Sequence, residues 1–246
     1  MKKEITIDQK ILKFYEKLSK ASLVIPEGFK IINPYNNLAV KEITTKFYNK
    51  FYNDNEKRQM ILGSSPARRG TTVTGVPYED AVHLQKETGI FIDNFYVNKS
   101  SSNFLYDVIE SYGGPSIFYK VFYMNFVCPL GIVKINQTGN EVNCNYYENK
   151  NLKKDLYEFI VNSIKEQLTF NIDTSVCYSI GSGENYKFLL EINEKYKFFE
   201  KIIPLEHPRF IMQYNSKNKD MYLKKYMNAL KYDKEGILHN NKEDIL

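Results

Sequence analysis

Tryptophan is missing from this chain, and cysteine and histidine each occur only three times in 246 residues. The cysteines, Cys128, Cys144 and Cys177, are odd in number and lack metal-type spacing. They therefore suggest neither a disulfide framework nor a zinc site, and a reduced, intracellular, cytoplasmic protein is the natural inference. His83, His207 and His239 fall in different elements, which argues against a metal centre. No apolar run approaches the roughly 20 residues that cross a bilayer, and the N-terminus lacks the apolar core of a signal peptide, so neither membrane insertion nor export is expected. There is no Gly-Lys-Ser/Thr phosphate loop, and Gly181-Ser-Gly183 is too short for a dinucleotide loop. Gly63-Ser-Ser-Pro-Ala67 lacks the Gly-x-Ser-x-Gly spacing of a hydrolase elbow. No cofactor is expected. A strong charge imbalance is missing too: the net charge of +5 permits a polyanionic partner without demanding one.

What the chain does have is 43% hydrophobic and 15% aromatic residues, enough for a sizeable core in one domain. Helical spacing of apolar residues predicts helices over 6–20, 38–52, 80–87, 101–112, 152–170, 185–196 and 220–232. Short apolar runs predict strands at Gln59–Leu62, Val121–Leu130, Thr174–Ile180 and Phe199–Leu205. Residues 131–150, centred on Thr138-Gly-Asn140, read as a hairpin excursion or a long loop, and 91–99 as irregular. Strands separated by helices without a fixed repeat give an α/β class, a three-layer α/β/α arrangement around a central four-stranded, mainly parallel sheet. The expected division is one domain over 1–232, with a helical part to 57 and a core from 58, and a polar, flexible tail over 233–246.

In such sheets ligands bind beyond the carboxyl ends of the strands. The informative stretches fall there: Gly63 to Tyr78 with its glycines and prolines, Cys128-Pro-Leu130, Gly181-Ser-Gly183 and His207-Pro-Arg209. Gly63-Ser-Ser-Pro-Ala67, Thr74-Gly-Val-Pro-Tyr78, Cys128-Pro-Leu130, Gly181-Ser-Gly183 and His207-Pro-Arg209, in this order, resemble the single-strand-selective monofunctional branch of the uracil-DNA glycosylase superfamily and its bacterial relatives. The resemblance spans about residues 58–215.

It implies a monomeric, metal-free DNA glycosylase of base-excision repair. Such an enzyme flips a deaminated or damaged base out of single- or double-stranded DNA and hydrolyses its N-glycosidic bond. Tyr78 matches the family's stacking aromatic and His207 the donor to the departing base, with Gly63, Ser64 and Pro66 in the surrounding wall. Pro208, Arg209, Phe210 and Ile211 match the wedge loop; Arg68, Arg69 and Lys217 are candidate phosphate contacts. Two positions depart from the pattern. Ser65 stands where the family's water-holding asparagine is usual, so the water is expected on Ser65 itself or on Asp80 or Glu79, with slower hydrolysis or loss of activity as the alternatives. The pyrimidine-reading asparagine is replaced by Phe126, with Asn125 one residue early; a shift of one turns the amide to the other face unless the strand bulges. Xanthine or hypoxanthine thereby joins uracil as a candidate substrate. A catalytically weakened module that binds damaged DNA, and a protein-interaction domain without a pocket, are the competing readings.

Overall fold

The computed structural model describes residues 4–91 and 99–230, with only the backbone course of 99–101. In chain order the elements are α1 (Ile7–Ser19), β1 (Phe29–Ile32), α2 (Leu38–Phe51), β2 (Arg58–Gly63), α3 (Thr71–Thr74), α4 (Ala81–Thr88), α5 (Lys99–Tyr112) and α6 (Pro115–Val121). They continue with β3 (Phe122–Phe126), β4 (Gly131–Ile135), β5 (Glu141–Asn143), α7 (Lys150–Leu168), β6 (Ile172–Ile180), α8 (Glu184–Tyr196), β7 (Lys201–Leu205), α9 (Pro208–Tyr214) and α10 (Lys219–Ala229). Most of the segment read as irregular, and the tail from 233, lie outside the described residues.

The central sheet has the order β3-β2-β6-β7 with every pair parallel, and helices cover both faces. β2 and β3 are buried along their whole length, which is why Met60–Leu62 and Phe122–Met124 read as apolar runs. Alternation along β3 separates the two faces. Phe122 packs on Tyr112 of α5 and Phe118 of α6, whereas Tyr123 turns the other way, toward Phe170 and Gln167 beyond and within α7.

Three features go beyond the sequence expectations. A second, antiparallel sheet of order β1-β4-β5 is present; residues 131–150 supply its hairpin, and β1 was not foreseen. The second predicted strand begins as helix α6, which extends to Val121, and leaves the sheet after Phe126. From there the Val127 and Cys128 amides donate to the Gly63 and Ser64 carbonyls at 2.8 and 2.9 Å, so β3 goes on pairing with the loop beyond β2. Finally, the predicted wedge loop is the helix α9, started by Pro208 in its first turn, where the missing amide costs nothing.

Candidate active site

The parallel strands end together, and the loops leaving β2 and β7 meet the end of β3 around a cavity of about 640 Å³. That size falls within the roughly 300–1,000 Å³ usual for small-molecule sites. Ser64, Ser65, Pro66, Tyr78, Phe126 and His207 line it, with Arg209, Phe210 and Tyr214 of α9 along the wall.

Tyr78 owes its position to its backbone and to a missing side chain. Its φ of 61° lies in the left-handed region, a conformation that costs a non-glycine residue on the order of 1–3 kcal/mol. Its amide donates to Thr71 Oγ1 at 3.3 Å. The ring rests against Phe126, with centroids 5.3 Å apart, and its hydroxyl lies over Gly63, where a Cβ would come within 2.1 Å of Tyr78 Oη. Two aromatic rings therefore form a slab on one cavity wall, and Gly63 leaves the room for it.

His207 precedes α9 and caps it: the Arg209 amide donates to Nδ1 at 3.0 Å. Burial, helped by the Arg209 charge, lowers the imidazole from 6.5 to about 4. The ring is thus neutral at physiological pH. Since Nδ1 accepts, the proton sits on Nε2, and His207 offers the cavity a neutral N–H donor.

The serines meet a partner from the small sheet. Ser64 Oγ and Ser65 Oγ donate to Asn145 Oδ1 at 2.8 and 3.1 Å, and the Arg68 amide donates to Asn143 Oδ1 at 2.8 Å. Glu79 also borders the cavity. Its Oε1 accepts from the hydroxyls of Tyr119 and Tyr106, Oε2 has no partner among the described residues, and burial pushes the carboxyl up to about 8. No group of three or more His, Cys, Asp or Glu among the described residues is placed to hold a metal ion, and no described helix is long and apolar enough to cross a membrane.

A family model described as the uracil DNA glycosylase superfamily matches residues 49–231. The chain belongs to the uracil-DNA glycosylase superfamily. The crystal structure of wild-type SMUG2 from Pedobacter heparinus is similar at 42% identity and a TM-score of 0.87, covering 92% of this chain and 97% of that one. No curated protein matches the chain. Membership in this superfamily and the likeness to SMUG2 support a DNA glycosylase with DNA as its partner.

Several residues singled out for this superfamily member stand elsewhere than expected. Asn125 is fully buried on the α1 face of β3, where its amide donates to Tyr123 Oη at 2.6 Å. The strand end does not bulge, so alternation carries Phe126 into the cavity and Asn125 away from it. Asp80 does not border the cavity. One oxygen caps α4 through the Val82 and His83 amides at 2.9 and 3.0 Å, and the other accepts from Ser102 Oγ at 2.8 Å, a structural use that withdraws it from holding water. Ile211 is 0% exposed and Pro208 is buried, so both belong to the core beneath α9. Phe210, at 46%, is the apolar side chain that stays outside. Arg69 and Arg209 reach the cavity wall, whereas Arg68, Lys217 and Gly181-Ser-Gly183 do not border it. Sequence reasoning missed Asn143, Asn145 and Tyr147, which come from the excursion after β4, and Tyr214 of α9. Their only trace in sequence is the polar-aromatic run Asn143-Cys-Asn-Tyr-Tyr147 within a segment otherwise read as connection.

Proposed function

We propose that the chain is a monofunctional DNA glycosylase that accepts a deaminated base flipped out of DNA into this cavity and hydrolyses its N-glycosidic bond. The observation that carries this is the meeting of Tyr78, Phe126, Ser65 and His207, from three separate strand ends, on one cavity. The aromatic slab gives a base a stacking surface. The Nε2–H of His207 is suited to the oxygen on which charge gathers as the base departs; a neutral donor serves there without bringing a full charge. Bond cleavage leaves the electron pair on the base and cationic character on the sugar, and water adds to the sugar carbon and loses its proton. Ser65 is the proposed support for that water. Arg69, Arg209 and Phe210 are the proposed contacts to the DNA around the extruded nucleotide.

For the substrate we propose tolerance of purine-derived lesions beside uracil. Phe126, an apolar ring, borders the cavity at the position of the pyrimidine-reading amide, and Asn125 is committed to Tyr123. A wall without that carboxamide imposes no pyrimidine donor–acceptor pattern, which favours xanthine or hypoxanthine as additional substrates.

The test is base release from oligonucleotides bearing uracil, hydroxymethyluracil, xanthine or hypoxanthine, in single and double strands. We expect release of uracil and of at least one purine product. Binding to these strands without release from any would support the weakened binding module, the reading that Ser65 favours. No binding even at low salt would support a protein-interaction domain.

A further inference from the structure

Ser65 lacks the carboxamide that the family places at its position, yet a carboxamide does stand beside it, supplied by a residue 80 positions along the chain. We infer that Asn145, oriented by Glu148, is a positioning residue that fixes the Ser65 hydroxyl as an acceptor for the attacking water. This rests on the glycosylase reading above.

The hydrogen bonds run in one direction. Glu148 Oε1 accepts from the Asn145 backbone amide at 2.9 Å and from Asn145 Nδ2 at 3.2 Å. A carboxylate only accepts, so the NH2 side of the amide must face Glu148 and the carbonyl must face the serines. Asn145 Oδ1 then takes the Ser64 and Ser65 hydroxyl protons, which occupies both of its lone pairs. Asn145 therefore acts on water through Ser65. The single proton of Ser65 is committed, and its oxygen lone pairs are all it can offer to the cavity that both residues border. A water that donates to that oxygen keeps its own lone pair free for the sugar carbon. With the hydroxyl free to rotate, Ser65 would donate to the water instead and occupy one of its two lone pairs, drawing electron density from the attacking oxygen.

The mount is firm. The Cys144 amide is bonded to the Ile132 carbonyl of β4 at 3.0 Å. The adjacent Tyr146 is fully buried, and its hydroxyl donates to Asn185 Oδ1 at 2.8 Å. Lys134 pairs with the other Glu148 oxygen at 3.4 Å, which holds that oxygen away from Asn145.

The experiment is a double-mutant cycle read by single-turnover base release with enzyme in excess, alongside DNA affinity and thermal melting. Asn145→Ala should slow release on the order of 10- to 100-fold with DNA affinity kept, the usual scale for losing an orienting hydrogen bond. In a Ser65→Asn background, where residue 65 carries its own carboxamide, the same substitution should cost only a few-fold. A merely structural tie between loop and sheet would lower the rate equally in both backgrounds and would overturn the inference, as would an unchanged rate in Asn145→Ala. If that variant does not fold, Glu148→Ala at the exposed end of the relay, which removes the acceptor, replaces it, with the same contrast between backgrounds expected and equal effects overturning it. Release by wild type with no special effect of Asn145 defeats this inference alone; no release by wild type from any substrate defeats the glycosylase reading and this with it.

Discussion

His207 is where the proposed chemistry is most sharply exposed to test, because one side chain has two separable roles. Its Nδ1 caps α9 by accepting from the Arg209 amide, and its Nε2–H is the proposed donor to the departing base. His207→Ala removes both. Loss of a comparable oxyanion donor costs about 10²- to 10³-fold in rate, and loss of an N-cap about 1 kcal/mol in stability. His207→Asn separates them: asparagine is a good cap whose oxygen can take the same amide, but it has no donor at the distance of Nε2. We therefore expect both variants to lose release by a similar factor while keeping DNA affinity, and only the alanine variant to lose stability. The pH dependence is a second reading of the same claim. With the imidazole lowered to about 4, His207 stays neutral through its ordinary 6.5, so the wild-type rate should show no inflection there between about pH 5.5 and pH 7.5. Single-turnover release from a uracil or xanthine oligonucleotide across that range, with melting curves of each variant, is the assay. A near-wild-type rate in His207→Asn, or a clear inflection at 6.5, would refute the neutral-donor role.

Three further outcomes follow from particular contacts. Gly63→Ala should destabilise the protein by about 1–3 kcal/mol and slow release, because the new Cβ would sit 2.1 Å from Tyr78 Oη; adding Tyr78→Phe should restore part of the stability, and additive losses would disprove the contact. Glu79 keeps its proton up to about pH 8, whereas the unfolded chain loses it near 4.5, so its share of stability is full below 4.5 and is lost as pH rises through 8. The loss amounts to about 3 kcal/mol by neutral pH, and denaturant titrations should show the Glu79→Gln variant without it; parallel curves for the two proteins would count against a buried, protonated carboxyl. On α9, Ile211→Ala should cost about 2–5 kcal/mol of stability, while Phe210→Ala should weaken DNA binding with stability kept; the reverse pattern would move the wedge back to Ile211.

The parallel sheet was readable because its strands are buried on both faces and therefore stand out as apolar runs such as Met60-Ile-Leu62. β1 was not, being four residues long and only partly buried, Phe29-Lys-Ile-Ile32, so it carries neither a long run nor a clean alternation. α3 consists of Thr71-Thr-Val-Thr74, β-branched throughout, which propensity would never make a helix; tertiary position and the left-handed Gly75 that ends it decide the matter. At α9 the local signal was sound, since proline suits a first helical turn, but the family pattern pointed to a loop and prevailed. Orientation at Asn125 was legible as a conditional: without a bulge the amide must turn away, and no bulge is there.

What sequence reading could not supply at the site is the provenance of its second half. The motifs after β2 and β7 declare themselves because their chemistry lies in contiguous residues, but a hydrogen bond between Ser65 and Asn145 leaves no local mark at either end. Asparagine near a turn is common for reasons of backbone geometry alone, so Asn143 and Asn145 looked like connection. Only the antiparallel sheet, by bringing β5 back beside the loop from β2, gives them work: one holds the Arg68 amide and the other both serine hydroxyls. The same sheet explains why Gly131 opens β4, since a Cβ there would meet Thr72 Cγ2 at 2.5 Å and press the loop away from its asparagines. A departure from a family motif at one position is thus best judged by what the remote parts of the fold bring to that position. Here they bring a carboxamide, locked in orientation by Glu148, to within 3.1 Å of the hydroxyl that replaced one.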